Sequence, residues 1–183
     1  EIKYLAEAIK SGWISSHGPF VKKLEKMFAD YIGVKYAISC FSGTSALMLL
    51  SPTFNLKEGD EIITQSLTFS AVGFAMKQSD AKIVFADCSE SRFTLSPEDA
   101  KKKITSRTKI IIPTHLYGRP AEMDELKEIC DKKNIYLVED CCQAVGAIYK
   151  GKKVGSIGHF NFFSFHNKTM ATGEGGMITT NDK

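Results

Sequence analysis

The sequence predicts a three-layer α/β/α sandwich around a mostly parallel β-sheet, and three observations lead to it. Short apolar runs at 35–40, 61–65, 82–86, 108–113 and 135–139 alternate with helical segments at 44–51, 69–78, 97–103 and 121–133, the order that builds a parallel sheet through helical crossovers. The run Lys109-Ile110-Ile111-Ile112-Pro113 is continuously apolar rather than alternating, as a strand covered on both faces requires. Met123, Leu126, Ile129 and Cys130 recur at helical spacing, so the last of these helices has one stripe to bury against a sheet.

The elements follow in order. Ile2 to Ser11 reads as a helix, and Val21, Leu24, Phe28 and Tyr31, with lysines and Glu25 between them, read as an amphipathic helix that stops at Gly33. After the strand at 35–40, Phe41-Ser42-Gly43-Thr44 reads as a turn and Ser45 to Leu50 as the start of a helix. Ser96 before Pro97 supplies an N-cap followed by proline at the first helical position. A final strand is expected at 176–180. In such sheets ligands gather outside the carboxyl ends of the strands, which is where Ser42-Gly43-Thr44, Thr68-Phe69, His115, Asp140 and the loop around Lys168 fall.

The composition excludes several classes. With 43% hydrophobic and 25% charged residues in 183, the chain has the make-up of a globular domain with a real core. The net charge of +3 comes from scattered lysines, which read as solvated faces and give no nucleic-acid footprint. Cysteines 40, 88, 130, 141 and 142 form no Cys-x-x-Cys and no pairing with histidine at metal-ligand spacing; they are expected as small buried residues in a reducing compartment, with no metal bound. No apolar run is long enough to cross a bilayer and no basic stretch leads into an apolar one, so a cytoplasmic location and no membrane partner are expected.

The chemistry rests on a lysine and an acid. Lys168 lies in a polar, glycine-flanked stretch, Ser164 to Gly176, and Asp140 ends the apolar run Ile135-Tyr136-Leu137-Val138-Glu139-Asp140. A lysine of that kind can carry a carbonyl cofactor as a Schiff base, and such an aspartate can pair with a protonated pyridine nitrogen. The helix start after Ser42-Gly43-Thr44 offers backbone N–H groups and hydroxyls to a phosphate. Together these suggest pyridoxal 5'-phosphate.

From about Gly12 to its last residue the chain resembles the DegT/DnrJ/EryC1/StrS sugar-aminotransferase family, within the fold-type-I pyridoxal-phosphate enzymes. The resemblance implies Lys168 as the Schiff-base lysine and proton carrier, Asp140 at the pyridine nitrogen, and Gln143 near the phenolic oxygen. It also implies Phe69 as the ring stacked on the cofactor, and Gly43, Thr44 and Ser164 at its phosphate. Glu139 competes with Asp140 for the ring nitrogen, although strand alternation sends the two to opposite faces. Ser164 and Lys168 stand one residue closer than in the family, whereas Lys168 and Glu174 keep the family distance, so the missing residue is placed before the lysine; placed after it, Thr169 would take the reactive position. His115 and His159 read as structural, and Trp13 either packs or helps shape a sugar pocket.

The resemblance implies amino transfer from glutamate to a keto carbon, C4 by the likeness of Asn167-Lys168 and of Thr172 to Met177 to perosamine-type enzymes, of a nucleotide-linked deoxysugar, by a homodimer. Two alternatives stand beside it: a pyridoxamine-phosphate-dependent sugar dehydratase of the same family, in which histidine replaces the lysine that is present here, and a cofactor-binding regulatory relative without turnover. Relatives are about twice as long, so residues 1–183 are expected to be the cofactor-binding large domain, with a smaller C-terminal domain missing.

Overall fold

The computed structural model describes residues 1–77 and 81–182. Among these the helices are α1 (Ile2–Ser11), α2 (Pro19–Ile32), α3 (Gly43–Met48), α4 (Leu50–Phe54), α5 (Ala71–Lys77), α6 (Pro97–Lys103) and α7 (Met123–Lys133). The strands are β1 (Tyr36–Cys40), β2 (Glu61–Gln65), β3 (Lys82–Ala86), β4 (Thr108–Ile112), β5 (Tyr136–Asp140), β6 (Ile148–Tyr149), β7 (Lys152–Lys153), β8 (Phe160–Ser164) and β9 (Gly176–Thr180).

Seven strands form one sheet in the order β1-β9-β8-β5-β4-β2-β3, and β6 and β7 pair separately. The pairs β3–β2–β4–β5–β8 are parallel, while β9 runs antiparallel between β8 and β1. The mostly parallel sheet is therefore as expected. Its apolar runs are buried on both sides because alternate residues serve alternate layers. Ile62, Ile110, Ile112, Val138 and Phe162 pack beneath Ala46, Leu47, Leu50, Val72 and Ala75 of α3, α4 and α5. Ile63, Ile111 and Leu137 pack on the other side against Ala100, Met123, Leu126 and Cys130 of α6 and α7. Phe28 and Ile32 of α2 extend that second layer over Phe163 and Met177.

The helix limits follow local chemistry. Pro19 opens α2 and Gly33, at φ 89°, closes it; the Ser96 hydroxyl accepts from the Asp99 amide at the start of α6. The helix expected over 44–51 is instead two, because Pro52 has no N–H to give the Met48 carbonyl and its ring crowds that turn. The helix expected over 69–78 starts only at Ala71, which leaves Phe69 in the preceding turn; its last expected residue, Gln78, lies outside the described residues. The segment expected from 121 becomes helical at Met123.

Candidate active site

Four loops, those after β1, β2, β5 and β8, meet at the carboxyl edge of the sheet and enclose a cleft of about 300 Å³. Gly43, Thr44, Phe69, Asp140, Gln143, Ser164 and Lys168 all line it, so the structure brings every expected site residue to one place. Phe41, Ser42, Cys142, His166 and Glu174 line it as well.

Asp140 forms part of the floor and is 3% exposed. Its Oδ1 accepts from the Cys142 amide at 3.0 Å and its Oδ2 from the Thr114 hydroxyl at 3.2 Å. Thr114 Oγ1 lies 2.8 Å from Thr68 Oγ1; with its own proton on the carboxylate, Thr114 accepts from Thr68. The backbone beneath is held by Gln65, whose Oε1 accepts from the Thr114 and Leu95 amides while its Nε2 donates to the Leu67 and Phe93 carbonyls. Burial pushes the Asp140 carboxyl above its ordinary value, against the lowering pull of its bonds to Cys142 and Thr114.

Glu139 faces the other way, as strand alternation requires, and does not line the cleft. Its Oε2 accepts from His115 Nε2 and the Gly155 amide, and its Oε1 from the Ile157 and Gly158 amides. Burial alone would raise this carboxyl, yet the hydrogen bonds from His115 and the loop amides hold it below its ordinary value. His115 Nδ1 accepts from the Ala121 amide, so both ring nitrogens are engaged and the residue is structural. His159 is structural too: its Nδ1 accepts from the Leu137 amide.

The rest of the cleft is built for close approach. Ser42 caps α3, exchanging bonds with Ser45. A Cβ on Gly43 would stand 2.9 Å from Cys142 Sγ and 3.0 Å from Ser164 Cβ, so a side chain there would crowd the end of the cleft where Ser42, Thr44 and Ser164 gather. Phe69 is 62% exposed, a poor place for a core residue, and Lys168 Nζ lies 5.4 Å from its ring centre. Gln143 Oε1 accepts from the amide of Tyr117.

Lys168 rides on the loop between β8 and β9. The loop is closed by Phe165 N–H to Gly175 O and Thr172 N–H to Phe165 O, and its turn at Asn167 takes φ 46°. Lys168 is half-buried in the cleft, whereas Thr169 is exposed and lines no part of it. The sequence reading missed Thr114, Cys142 and the His166–Glu174 pair; only the proximity of His166 and Glu174 to Lys168 along the chain could have flagged the last. Trp13 is 53% exposed and away from the cleft.

All 183 residues match the DegT/DnrJ/EryC1/StrS aminotransferase family. The chain belongs to this family. It is 45% identical over 183 residues to the GDP-perosamine synthase of Caulobacter vibrioides, covering 100% of this chain and 49% of that protein. It is 42% identical over 184 residues to the GDP-perosamine synthase of Escherichia coli O157:H7, covering 100% and 50%. The crystal structure of an aminotransferase from Psychrobacter cryohalolentis superposes with a TM-score of 0.92 at 38% identity, over 99% of this chain and 47% of that one. The chain thus spans about half the length of the relatives it matches, and its architecture is that of the fold-type-I aminotransferases.

Proposed function

We propose that the cleft holds pyridoxal 5'-phosphate and serves an aminotransferase that passes an amino group from glutamate to a keto carbon, C4, of a nucleotide-linked deoxysugar. One observation carries the cofactor: Asp140 is a buried carboxylate facing a cleft, with only neutral donors, the Thr114 hydroxyl and the amide and thiol of Cys142, and no ion-pair partner among the described residues. A buried charge left so thinly compensated is costly, and a cationic ring nitrogen placed against it would relieve that cost. At an effective dielectric near 20, charges 3–4 Å apart attract by roughly 4–5 kcal/mol before desolvation. The GDP-perosamine synthases among the relatives support the substrate class.

The residues then divide the work. Asp140 keeps a proton on the ring nitrogen, and Phe69 supplies an apolar face for the ring. Gly43, by having no side chain, would admit the phosphate to Ser42, Thr44 and Ser164, and Gln143 would hydrogen-bond the phenolic oxygen. Lys168 would hold the cofactor through its carbonyl carbon and would serve as the base that moves a proton to and from the donor carbon, a task commonly worth about 10²–10⁴ in rate. The bound cofactor supplies an electron sink for the carbon that gives up its proton.

This reading extends to the assembly. The exposed rings of Phe41 (75%) and Phe69 on the cleft rim support closure of the site by a second copy of the protein. The five free cysteines support a cytoplasmic location. Residues 1–183 would be the cofactor-binding large domain of the whole protein.

Borohydride reduction of the cofactor-loaded whole protein tests the site, and peptide mapping should find the label on Lys168. Label on another lysine would refute the assignment. Incubation with glutamate and nucleotide-linked 4-keto and 3-keto sugars, followed by mass, tests the reaction; cofactor binding without amino transfer would turn the reading toward a regulatory relative.

A further inference from the structure

We propose that His166, oriented by Glu174, is a second proton-handling residue of this site: it moves protons between the attacking nitrogen and the oxygen of the keto substrate. This rests on the amino-transfer reading above and assigns a step that Lys168 does not perform.

The geometry fixes the state of the ring. His166 Nδ1 lies 3.0 Å from Glu174 Oε1 and 3.1 Å from the Gly173 carbonyl oxygen. Both are acceptors, so Nδ1 carries a proton and shares it between them. In the neutral ring Nε2 is then the nitrogen with the lone pair, and it has no hydrogen-bond partner among the described residues. A carboxylate holding one imidazole nitrogen as N–H, and so leaving the other free to take and return a proton, is the arrangement of an oriented general base.

The placement suits the substrate. His166 and Glu174 line the same cleft as Lys168, but their side chains are 61% and 51% exposed, whereas Asp140 at the floor is 3% exposed. They therefore border the open side, where a ketone would arrive, and His166 is two positions from Lys168 on the same loop. The His166 amide, 3.4 Å from Ser164 Oγ, ties its backbone to the end of β8.

The step balances with these groups alone. A primary amine adds to the keto carbon, forming a C–N bond. His166 Nε2 takes a proton from the nitrogen and delivers it to the oxygen. It takes the second proton from the nitrogen in the same way; the C–O bond breaks, the oxygen leaves as water with both protons, and the nitrogen electron pair completes the C=N bond. The reverse sequence hydrolyses the corresponding bond to the keto acid product, and the ring ends as it began in either direction.

The test uses the whole protein with glutamate and 2-oxoglutarate as probes. His166→Gln can keep a donor toward Glu174 and Gly173 but cannot carry a proton. It should lower the rate constant for reaction of the amine-loaded protein with 2-oxoglutarate by about 10² or more, with half-saturation unchanged. Exchange of the glutamate α-proton into D₂O, which needs Lys168 but no loss of water, should persist at the wild-type rate. His166→Ala should regain rate with added imidazole, which a structural role would not allow. Independently of activity, ¹⁵N NMR of the cofactor-free protein, at a pH where the ring is neutral, should show His166 protonated at Nδ1. A wild-type rate with 2-oxoglutarate in His166→Gln, no imidazole rescue, or protonation at Nε2 overturns the inference. Failure of wild-type protein to exchange the α-proton would instead overturn the amino-transfer reading beneath it.

Discussion

Replacing Glu139 by Gln should cost a substantial part of the fold's stability although it changes no atom of the cleft. The carboxylate takes four donors, two on each oxygen: His115 Nε2 and Gly155 N on Oε2, Ile157 N and Gly158 N on Oε1. An amide of the same shape has one oxygen and one NH₂, so in either orientation the NH₂ confronts two donors. His115 cannot relieve this by exchanging tautomers, because its Nδ1 already accepts from the Ala121 amide and its Nε2 must keep the proton. Two buried hydrogen bonds are lost and their donors are left unsatisfied at about 1–3 kcal/mol each, or roughly 2–6 kcal/mol in sum. Against a typical domain stability of about 5–15 kcal/mol, that is enough to unfold much of a marginal protein. Urea unfolding measures it as a lower midpoint at unchanged slope. A loss below about 1 kcal/mol would show that the loop over 155–158 is held by something other than this carboxylate.

Other expectations follow from the same contacts. Asp140→Asn keeps the shape of the floor but removes its charge, so cofactor binding should weaken moderately while the glutamate half-reaction slows by several orders of magnitude; near-normal turnover would remove Asp140 from the mechanism. Gly43→Ala places a carbon about 3 Å from Cys142 and Ser164, and overpacking of that order costs about 1–3 kcal/mol. A cofactor titration should show affinity weakened about tenfold, with Gly73→Ala, which meets nothing within 4 Å, as the unaffected control. The two carboxyls should give opposite pH trends in chemical denaturation. Glu139, held low when folded, contributes stability above the ordinary carboxylate range and loses it on acidification. Asp140, held high when folded, makes the cofactor-free protein lose stability as pH rises from that ordinary range through the raised value. Cofactor should abolish the second trend and leave the first.

Much of this was legible in the sequence because it depends on local period and spacing. The apolar run at 110–112 predicted a strand buried on both faces, and alternation separated Glu139 from Asp140. The strand Phe160–Ser164 escaped notice because Asn161 interrupts its apolar character; in the fold that amide is buried and donates to the Gly155 and Thr179 carbonyls, a compensation that no local window reveals. The supports of the site were hidden for the same reason. Thr68 and Thr114 are far apart in sequence, and only sheet order sets them side by side beneath Asp140. The expectation of buried cysteines holds for Cys130 and Cys141, but Cys40, Cys88 and Cys142 are only partly covered: Cys40 ends the edge strand β1, and Cys88 and Cys142 lie in loops that follow strands, which pack less completely than the strands themselves.

Glu139 and Asp140 show how one strand can serve stability and chemistry in consecutive residues. Both are buried acids on β5, yet their surroundings drive them in opposite directions. Glu139 is saturated with donors and holds its charge as a fastening for the loop that follows β7. Asp140 receives only neutral hydrogen bonds, from Thr114 and Cys142, and turns its charge toward the cleft. If both served only the fold, saturating Asp140 as well would be the more stable solution, since an under-compensated buried carboxylate is a standing cost. The cost is retained at the point where the turn Ser42-Gly43-Thr44, an exposed aromatic ring and a lysine converge on one cleft. On the reading proposed above, a cation placed there would close the balance, and the ring nitrogen of a bound pyridine is a cation that these neighbours would fit.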